Sequence, residues 1–318
     1  MITERIQDRA RGRWRSLLPQ LGVAESFLSN KHGPCPMCGG TDRWRWDDKA
    51  GSGSWICSHC GAGSGVDLVM RVNGCEFLPA KRMIEDLLPS TVVAPVKAER
   101  VVDVDRLRAI WRTAEPLTGT DPASWYLTGR GLSCDTWPTQ LRFLPRATYV
   151  HDDKTKTQHP ALVAHYVSPD ASEMTLHFTY LDSVGRKASV PKVRKLAAGK
   201  MPRGGAVRLA NSAETMGVAE GIETALSASK MFDVPVWATL SAGALMKWEP
   251  PPTARNVIVF GDSDTSLTGQ LAAYSLAYRL RKEGINAEVR LPDQMDSDWN
   301  DMLGVLSRPE TIRMEAAE

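Results

Sequence analysis

Met216-Gly-Val-Ala-Glu220-Gly-Ile-Glu223-Thr-Ala225 and Val257-Ile-Val-Phe-Gly-Asp262-Ser-Asp264 share one arrangement: a short apolar run stops at a glycine and an acid. Continuous apolar runs of this length mark strands buried on both faces. Helical spacing fills the intervals. Strands are expected at Met216 to Ala219, Val234 to Thr239, Val257 to Phe260 and Ala287 to Leu291, with helices from Ile222 to Phe232 and from Ser266 to Glu283. Alternation of this kind predicts an α/β domain built on a Rossmann-like parallel sheet.

In such sheets functional groups gather at the carboxyl ends of the strands, so Glu220, Asp262 and Asp264 can converge although more than forty residues separate them. Carboxylates crowded together repel unless cations lie between them, and oxygen donors suit Mg²⁺ or Mn²⁺. Asp298 and Asp301, in Asp296-Ser-Asp298-Trp-Asn300-Asp301, hold a second metal or align the first. An Asp-x-Asp taken alone reads equally as a helix N-cap or a surface turn.

Upstream, charge is distributed unevenly. Leu181 to Ala210 contains Arg186, Lys187, Lys192, Arg194, Lys195, Lys200, Arg203 and Arg208 against the single acid Asp182, which suits a polyanion. From Asn211 to Glu318 the balance reverses to 9 Lys and Arg against 16 Asp and Glu, a net of −7. Short helices at Asp105 to Thr113 and Asp121 to Gly129, followed by alternating apolar and polar segments between Leu141 and Lys195, make residues 106–210 an α+β region. Residues 89–105, with Pro89 and Pro95 among scattered valines, read as a linker. The domains expected are thus 1–88, 106–210 and 211–318.

The first of these reads as a leading helix within residues 1–29, a small Gly-, Cys- and Trp-rich segment, and helical spacing again from Val66 to Leu88. Cys35-x-x-Cys38 and Cys57-x-x-Cys60 are two knuckles that aim four thiolates at one ion, a closed structural Zn²⁺ site folding a segment short of apolar residues. His32 and His59 read as bystanders or phosphate contacts, and Cys75 and Cys134 as small buried residues. Arg43, Trp44, Arg45 and Trp46 alternate between the knuckles, with Trp55 before the second. They form either a platform for single-stranded nucleic acid, stacking on rings and pairing phosphates, or a miniature core with solvated arginines.

The whole chain has 318 residues, 42% hydrophobic and 24% charged, with a net charge of +2, enough for one or two ordinary cores and unlike a disordered chain. Six cysteines are too few for a disulfide scaffold. No run of 18 apolar residues occurs, and Glu4, Arg5, Asp8 and Arg9 interrupt the start, so a cytoplasmic protein away from membranes is expected.

With both constellations in view, the chain resembles the zinc-ribbon Toprim primases of phages, plasmids and related mobile elements. His32-Gly-Pro-Cys35 through Trp46 and Trp55-Ile-Cys57 through Val66-Asp67 look like that family's zinc-binding domain, and Glu220-Gly and Asp262-Ser-Asp264 like its two acidic Toprim motifs. The stretch from Pro191-Lys192 to Leu209 is similar to the basic strip of DnaG-like primases. Two motifs depart from the DnaG-like pattern: Thr224 stands where those enzymes carry a further acid, and Asp298-Trp-Asn-Asp301 where they carry Lys-Asp-Pro-Asp.

The resemblance implies a Toprim domain preceded by a basic subdomain and a zinc ribbon. It implies de novo synthesis of short RNA or mixed primers on a single-stranded DNA template from nucleoside triphosphates. Glu220, Asp262 and Asp264 would bind the catalytic Mg²⁺ or Mn²⁺, and Lys192, Arg194, Lys195, Lys200 and Arg203 would pair phosphates. No Gly-x-x-x-x-Gly-Lys-Ser/Thr sequence is present in these 318 residues, so unwinding is expected from a replicative helicase in trans or from the remainder of a longer chain. The alternatives are a Toprim-type metal-dependent nuclease, a topoisomerase, disfavoured by the length, and a catalytically inert nucleic-acid-binding accessory.

Overall fold

The computed structural model describes residues 5–88 and 103–306. The chain divides into two compact units, 1–100 and 101–318. Most of the expected linker lies outside the described residues, and its end, Val104 and Asp105, already belongs to a helix.

In the first unit the helices α1 (Ile6–Arg9) and α2 (Trp14–Gln20) precede four antiparallel strands, β1 (Gly33–Cys35), β2 (Gly39–Trp46), β3 (Trp55–Cys57) and β4 (Gly61–Gly63), paired in chain order. Two helices close it, α3 (Gly65–Val72) and α4 (Phe77–Leu87). Ser64 and Asp67 start α3 as a capping box, each side chain accepting from the other's backbone N–H.

The Gly-, Cys- and Trp-rich segment, expected to be short of apolar residues, shares its core with the flanking helices, and its tryptophans take the core role that was one of their two readings. Trp14, Leu17, Leu18, Trp44, Trp55, Leu68 and Ile84 are almost wholly buried in one cluster, and truncating such a leucine or isoleucine costs about 2–5 kcal/mol. Trp14 lies directly on backbone: a Cβ on Gly65 would stand 2.3 Å from its ring, and one on Gly53, at φ +68°, 2.6 Å. Only glycine fits at either place.

The second unit contains α5 (Val104–Thr113), β5 (Glu115–Pro116), α6 (Pro122–Thr128), β6 (Leu141–Val150), β7 (Lys156–Val167), β8 (Met174–Tyr180), β9 (Arg194–Leu196) and β10 (Ala206–Val207). It continues through β11 (Thr215–Ala219), α7 (Ile222–Phe232), β12 (Val236–Ala238), α8 (Ala242–Leu245), β13 (Asn256–Phe260), α9 (Thr268–Lys282), β14 (Asn286–Arg290) and α10 (Trp299–Leu306). All ten strands join one sheet, ordered β14-β13-β11-β12-β10-β7-β6-β5, with β8 and β9 branching from β7.

The pairs among β11, β12, β13 and β14 are parallel, the α/β element foreseen. The two-residue β10 joins this part to the antiparallel wing, with Val207 opposite both Ala238 and Tyr166. The boundary expected at residue 210 is therefore not a break in the sheet. Successive residues of β13 point to opposite faces, Ile258 and Phe260 to the core under α6, α7 and α10, Val257 and Val259 to the core under α9. Among the described residues no helix is long and apolar enough to cross a membrane.

Candidate functional site

Strand register brings the Toprim-like acids together. Ala219 pairs with Phe260 in the parallel ladder, so Glu220 leaves β11 level with Gly261, and Asp262 stands one residue further out. β12 and β13 flank β11 on opposite sides, which makes this the switch point of the parallel part. Ser263 and Ser297 exchange backbone hydrogen bonds of 3.1 Å in each direction, and this bridge draws the loop carrying Asp298 toward Asp262.

Burial pushes the Asp262 carboxyl up, and the charges of Glu220, Asp298, Asp264 and Asp301 add to it, reaching about 7. Its Oδ1 is buried with no hydrogen-bond partner. Glu220 is raised by burial and by Asp264, against a hydrogen bond from the Ala242 N–H. Asp264 behaves otherwise. Burial alone would raise it, but Ser266 Oγ at 2.5 Å and the N–H groups of Gly269 at 2.8 Å and Thr268 at 3.0 Å hold it below the usual carboxylate range.

Asp298 Oδ1 accepts from the N–H groups of Asn300 (2.8 Å) and Asp301 (3.0 Å), and Asp301 Oδ2 accepts from Asp298 N–H (3.1 Å). The capping role therefore holds for both, while their charges still bear on Asp262. A donor set made of oxygens, mutually repelling, with one oxygen buried and unpaired, fits a hard divalent cation. The acids are spaced more widely than a closed cage. Among the described residues the group whose ligand atoms lie within 4.8 Å of one another is Cys35, Cys38, Cys57 and Cys60.

Those sulfurs fit zinc. Cys35 and Cys60 Sγ stand 4.0 Å apart and Cys38 and Cys57 Sγ 3.7 Å, close to the ~3.8 Å edge of a tetrahedron with ~2.3 Å Zn–S bonds. Both separations far exceed the ~2.05 Å of a disulfide. Met37 N–H donates to Cys35 Sγ, and the N–H groups of His59 and Cys60 donate to Cys57 Sγ, each at 3.4 Å, as a knuckle requires. Burial raises the Cys35 and Cys60 thiols, whereas Cys57, buried too, is drawn down to about 7 by those two N–H groups and the neighbouring thiols. Neither nearby histidine joins the quartet; the His32 ring bonds the Asp42 carbonyl at 3.0 Å. Cys75 is half-buried, but Cys134 is exposed, against expectation.

Two expected nucleic-acid contacts are corrected. Trp44 and Trp46 are buried, Trp44 stacked on Trp55 at 5.2 Å with its Nε1 donating to the Phe27 carbonyl at 2.7 Å. They are core, buried in one cluster with Trp14, Leu17 and Leu18 of α2 and Val66, Leu68 and Val69 of α3. Arg45 pairs with Asp47 at 2.5 Å; Arg43 remains exposed.

The basic strip is also split, since neighbours on a strand face opposite ways. Arg194 turns to Glu223, Nη2 to Oε1 at 2.6 Å, while Lys195 turns to the other face, over the Tyr149 ring at 3.8 Å with its Nζ donating to the Val150 carbonyl. Lys192, Lys200 and Arg203 are exposed and make no ion pair among the described residues.

The residues around Glu223 were not foreseen. Tyr126 donates to Glu223 Oε1 at 2.6 Å, and buried His177, held down to about 4 mainly by burial, lies within reach of the Glu223 and Arg194 charges. The one available signal was a lone acid in the apolar first turn of α7; its partners come from elements 29 and 97 residues away in sequence.

Known families match the segments that contain these two centres. Residues 30–66 match the zinc-binding domain of primase-helicase, residues 215–308 the Toprim domain, and residues 103–209 a domain of unknown function, DUF7146. Among solved structures the chain is similar to a DNA primase domain from Pseudomonas aeruginosa, at 12% identity over 67% of this chain and 78% of that one, TM-score 0.44. It is also similar to the zinc-binding and RNA polymerase domains of Aquifex aeolicus primase, at 12% over 99% and 86%, TM-score 0.41. A third is the primase fragment of the bacteriophage T7 primase-helicase protein, at 14% over 85% and 92%, TM-score 0.35. None of these likenesses assigns a residue.

Proposed function

We propose, from the premise that this chain joins a zinc ribbon of the primase type to a Toprim domain, that it is a DNA primase making short RNA or mixed primers de novo on single-stranded DNA. The observation that carries the reading is Asp262, with a buried unpaired oxygen amid four other acids, a site that needs a cation from outside the chain. Glu220, Asp262 and Asp264 would hold Mg²⁺ or Mn²⁺, with Asp298 and Asp301 adding field from their helix cap. Bound there, the metal supplies activation of a 3′-hydroxyl and stabilisation of the departing pyrophosphate.

The chain's own residues position the substrates. Of the five cations expected to pair phosphates, Lys192, Lys200 and Arg203 are exposed without an ion pair among the described residues, and they would meet template or nucleotide phosphates. Arg194 acts indirectly, anchoring β9 to the first turn of α7. The zinc ribbon presents Arg43 to the template rather than a ring platform. A replicative helicase, on another chain or on the remainder of a longer one, completes the reading.

The test is incorporation of labelled ribonucleotides by the purified chain on single-stranded DNA with Mg²⁺ or Mn²⁺. Template-dependent products are expected. Strand nicking without incorporation would select the nuclease instead, and neither activity would select the inert accessory.

A further inference from the structure

Among the described residues none covers one face of helix α9. Leu267, at its N-terminal boundary, and Leu271, Tyr274 and Tyr278 expose 57, 63, 58 and 66% of their surface, while Ala272, Ala273, Leu276, Ala277 and Leu280 between them are buried. Steps of three and four residues place Leu271, Tyr274 and Tyr278 on one helical face, and Leu267, the N-cap residue in left-handed backbone at φ +60°, ends it, over about 16 Å at 1.5 Å per residue. A contiguous apolar patch on a soluble unit marks an interaction surface. Within the stripe's own surroundings, Gln270 is turned to the Asp264 carbonyl at 2.9 Å and Lys282 lies over the Tyr278 ring.

We propose that this stripe is where two copies of the chain meet, α9 against α9, antiparallel about a two-fold axis. The spacing reads the same in both directions, so antiparallel packing sets Leu267 against Tyr278 of the second copy and Leu271 against Tyr274, each contact occurring twice. Charge selects the same orientation. No charged residue lies between Leu267 and Tyr278; at the C-terminal end Arg281 and Lys282 are exposed beside Glu283, whose charge is met by Arg279 at 3.1 Å, and Asp264 and Asp296 flank the N-terminal end. Antiparallel packing brings these opposite charges, and opposite helix-dipole ends, together at both extremities. Parallel packing would oppose Arg281 and Lys282 to themselves.

A contact confined to one helix buries less than the ~1,200 Å² of a stable interface, so dimerisation is expected on the order of 10 µM or weaker. The contact does not depend on priming activity. Its basic end lies beside Asp264 of the other copy, so dimerisation would place Arg281 and Lys282 at the rim of the carboxylate site.

Sedimentation of the full chain from about 1 to 200 µM tests the proposal. A concentration-dependent dimer is expected, and Leu267→Glu or Tyr278→Lys, both at exposed positions, should each weaken it at least tenfold. The chain carrying both should recover the wild-type midpoint, because positions 267 and 278 oppose each other at both ends; in one copy they are too far apart to pair. A chain monomeric throughout, a dimer indifferent to the single substitutions, or a double variant without recovery would each overturn the proposal. So would a monomer whose Tyr274 and Tyr278 are protected from iodination, since another part of the same chain would then cover the stripe.

Discussion

Glu223 and Asp262 follow neighbouring strands of one sheet, and burial acts on both in the same direction, yet they end on opposite sides of the usual carboxylate range. Glu223 is 5% exposed, and burial alone would raise its carboxyl, but Arg194 and Tyr126 outweigh that and hold it low. Asp262 is surrounded by acids and rises to about 7. Burial thus does not decide the charge state; a built-in counter-ion does. Where the chain supplies one, as Arg194, the site is finished. Where it supplies more acids, the site is finished from outside, and the sulfur quartet repeats that logic with softer ligands.

The largest effect is expected at the sulfurs. Cys57→Ser should lower zinc content from about one per chain and leave residues 5–88 open to proteolysis, since structural zinc contributes about 10 kcal/mol or more to such domains. A variant still folded without zinc would mean that the cluster around Trp14 and Trp55 suffices, and the parallel with Asp262 would lapse.

At the carboxylates, Asp262→Asn should lower incorporation by more than about 100-fold, as befits a metal ligand. The same change should raise the melting temperature in Mg²⁺-free buffer, because it removes a buried charge repelled by its neighbours. Glu223→Gln should do the reverse for stability, costing about 2 kcal/mol. That is below the ~3–5 kcal/mol for breaking a fully buried pair, because the Arg194 side chain is 46% exposed. Equal signs of the two stability changes would dissolve the contrast between the sites.

Much of this was legible in the sequence, for definite reasons. The acids at 220, 262 and 264 follow apolar runs, and parallel register leaves adjacent strand ends side by side, so local pattern sufficed. The sulfur pairs needed only their own spacing. What could not be read were pairings made by the sheet at long range. Arg194 looked like one more cation in a basic strip, and only the antiparallel placement of β9 beside β8, with Arg194 opposite Thr179, aims it at Glu223. Trp44 and Trp46 share a face by their spacing of two, but whether that face meets nucleic acid or protein depended on α2 and α3. The two-residue β10 is too short to carry a pattern, yet it makes one sheet of two expected domains.

The smallest expected effect is a pH dependence whose sign separates the two carboxylates. The folded-state value of Asp262, about 7, lies above the ordinary 3.8, so its contribution to stability is complete below pH 3.8 and is lost as pH rises through 7. Between pH 6 and 8 in Mg²⁺-free buffer the loss amounts to about 1.4 kcal/mol. Glu223, held low, gives the opposite dependence, lost only on acidification below the usual carboxylate range. His177, depressed to about 4, loses stability as pH falls from about 6.5 toward 4, so from pH 6 to 8 it partly offsets Asp262. Subtracting the Asp262→Asn profile from that of the wild type removes the His177 contribution and leaves the carboxylate's. The difference should favour the wild type progressively less from pH 6 to 8, and adding Mg²⁺ should restore more stability at pH 8 than at pH 6, because the cation binds the ionised form. A flat difference, or equal Mg²⁺ effects at both pH values, would place Asp262 with Glu223, among carboxylates whose partners are already in the chain.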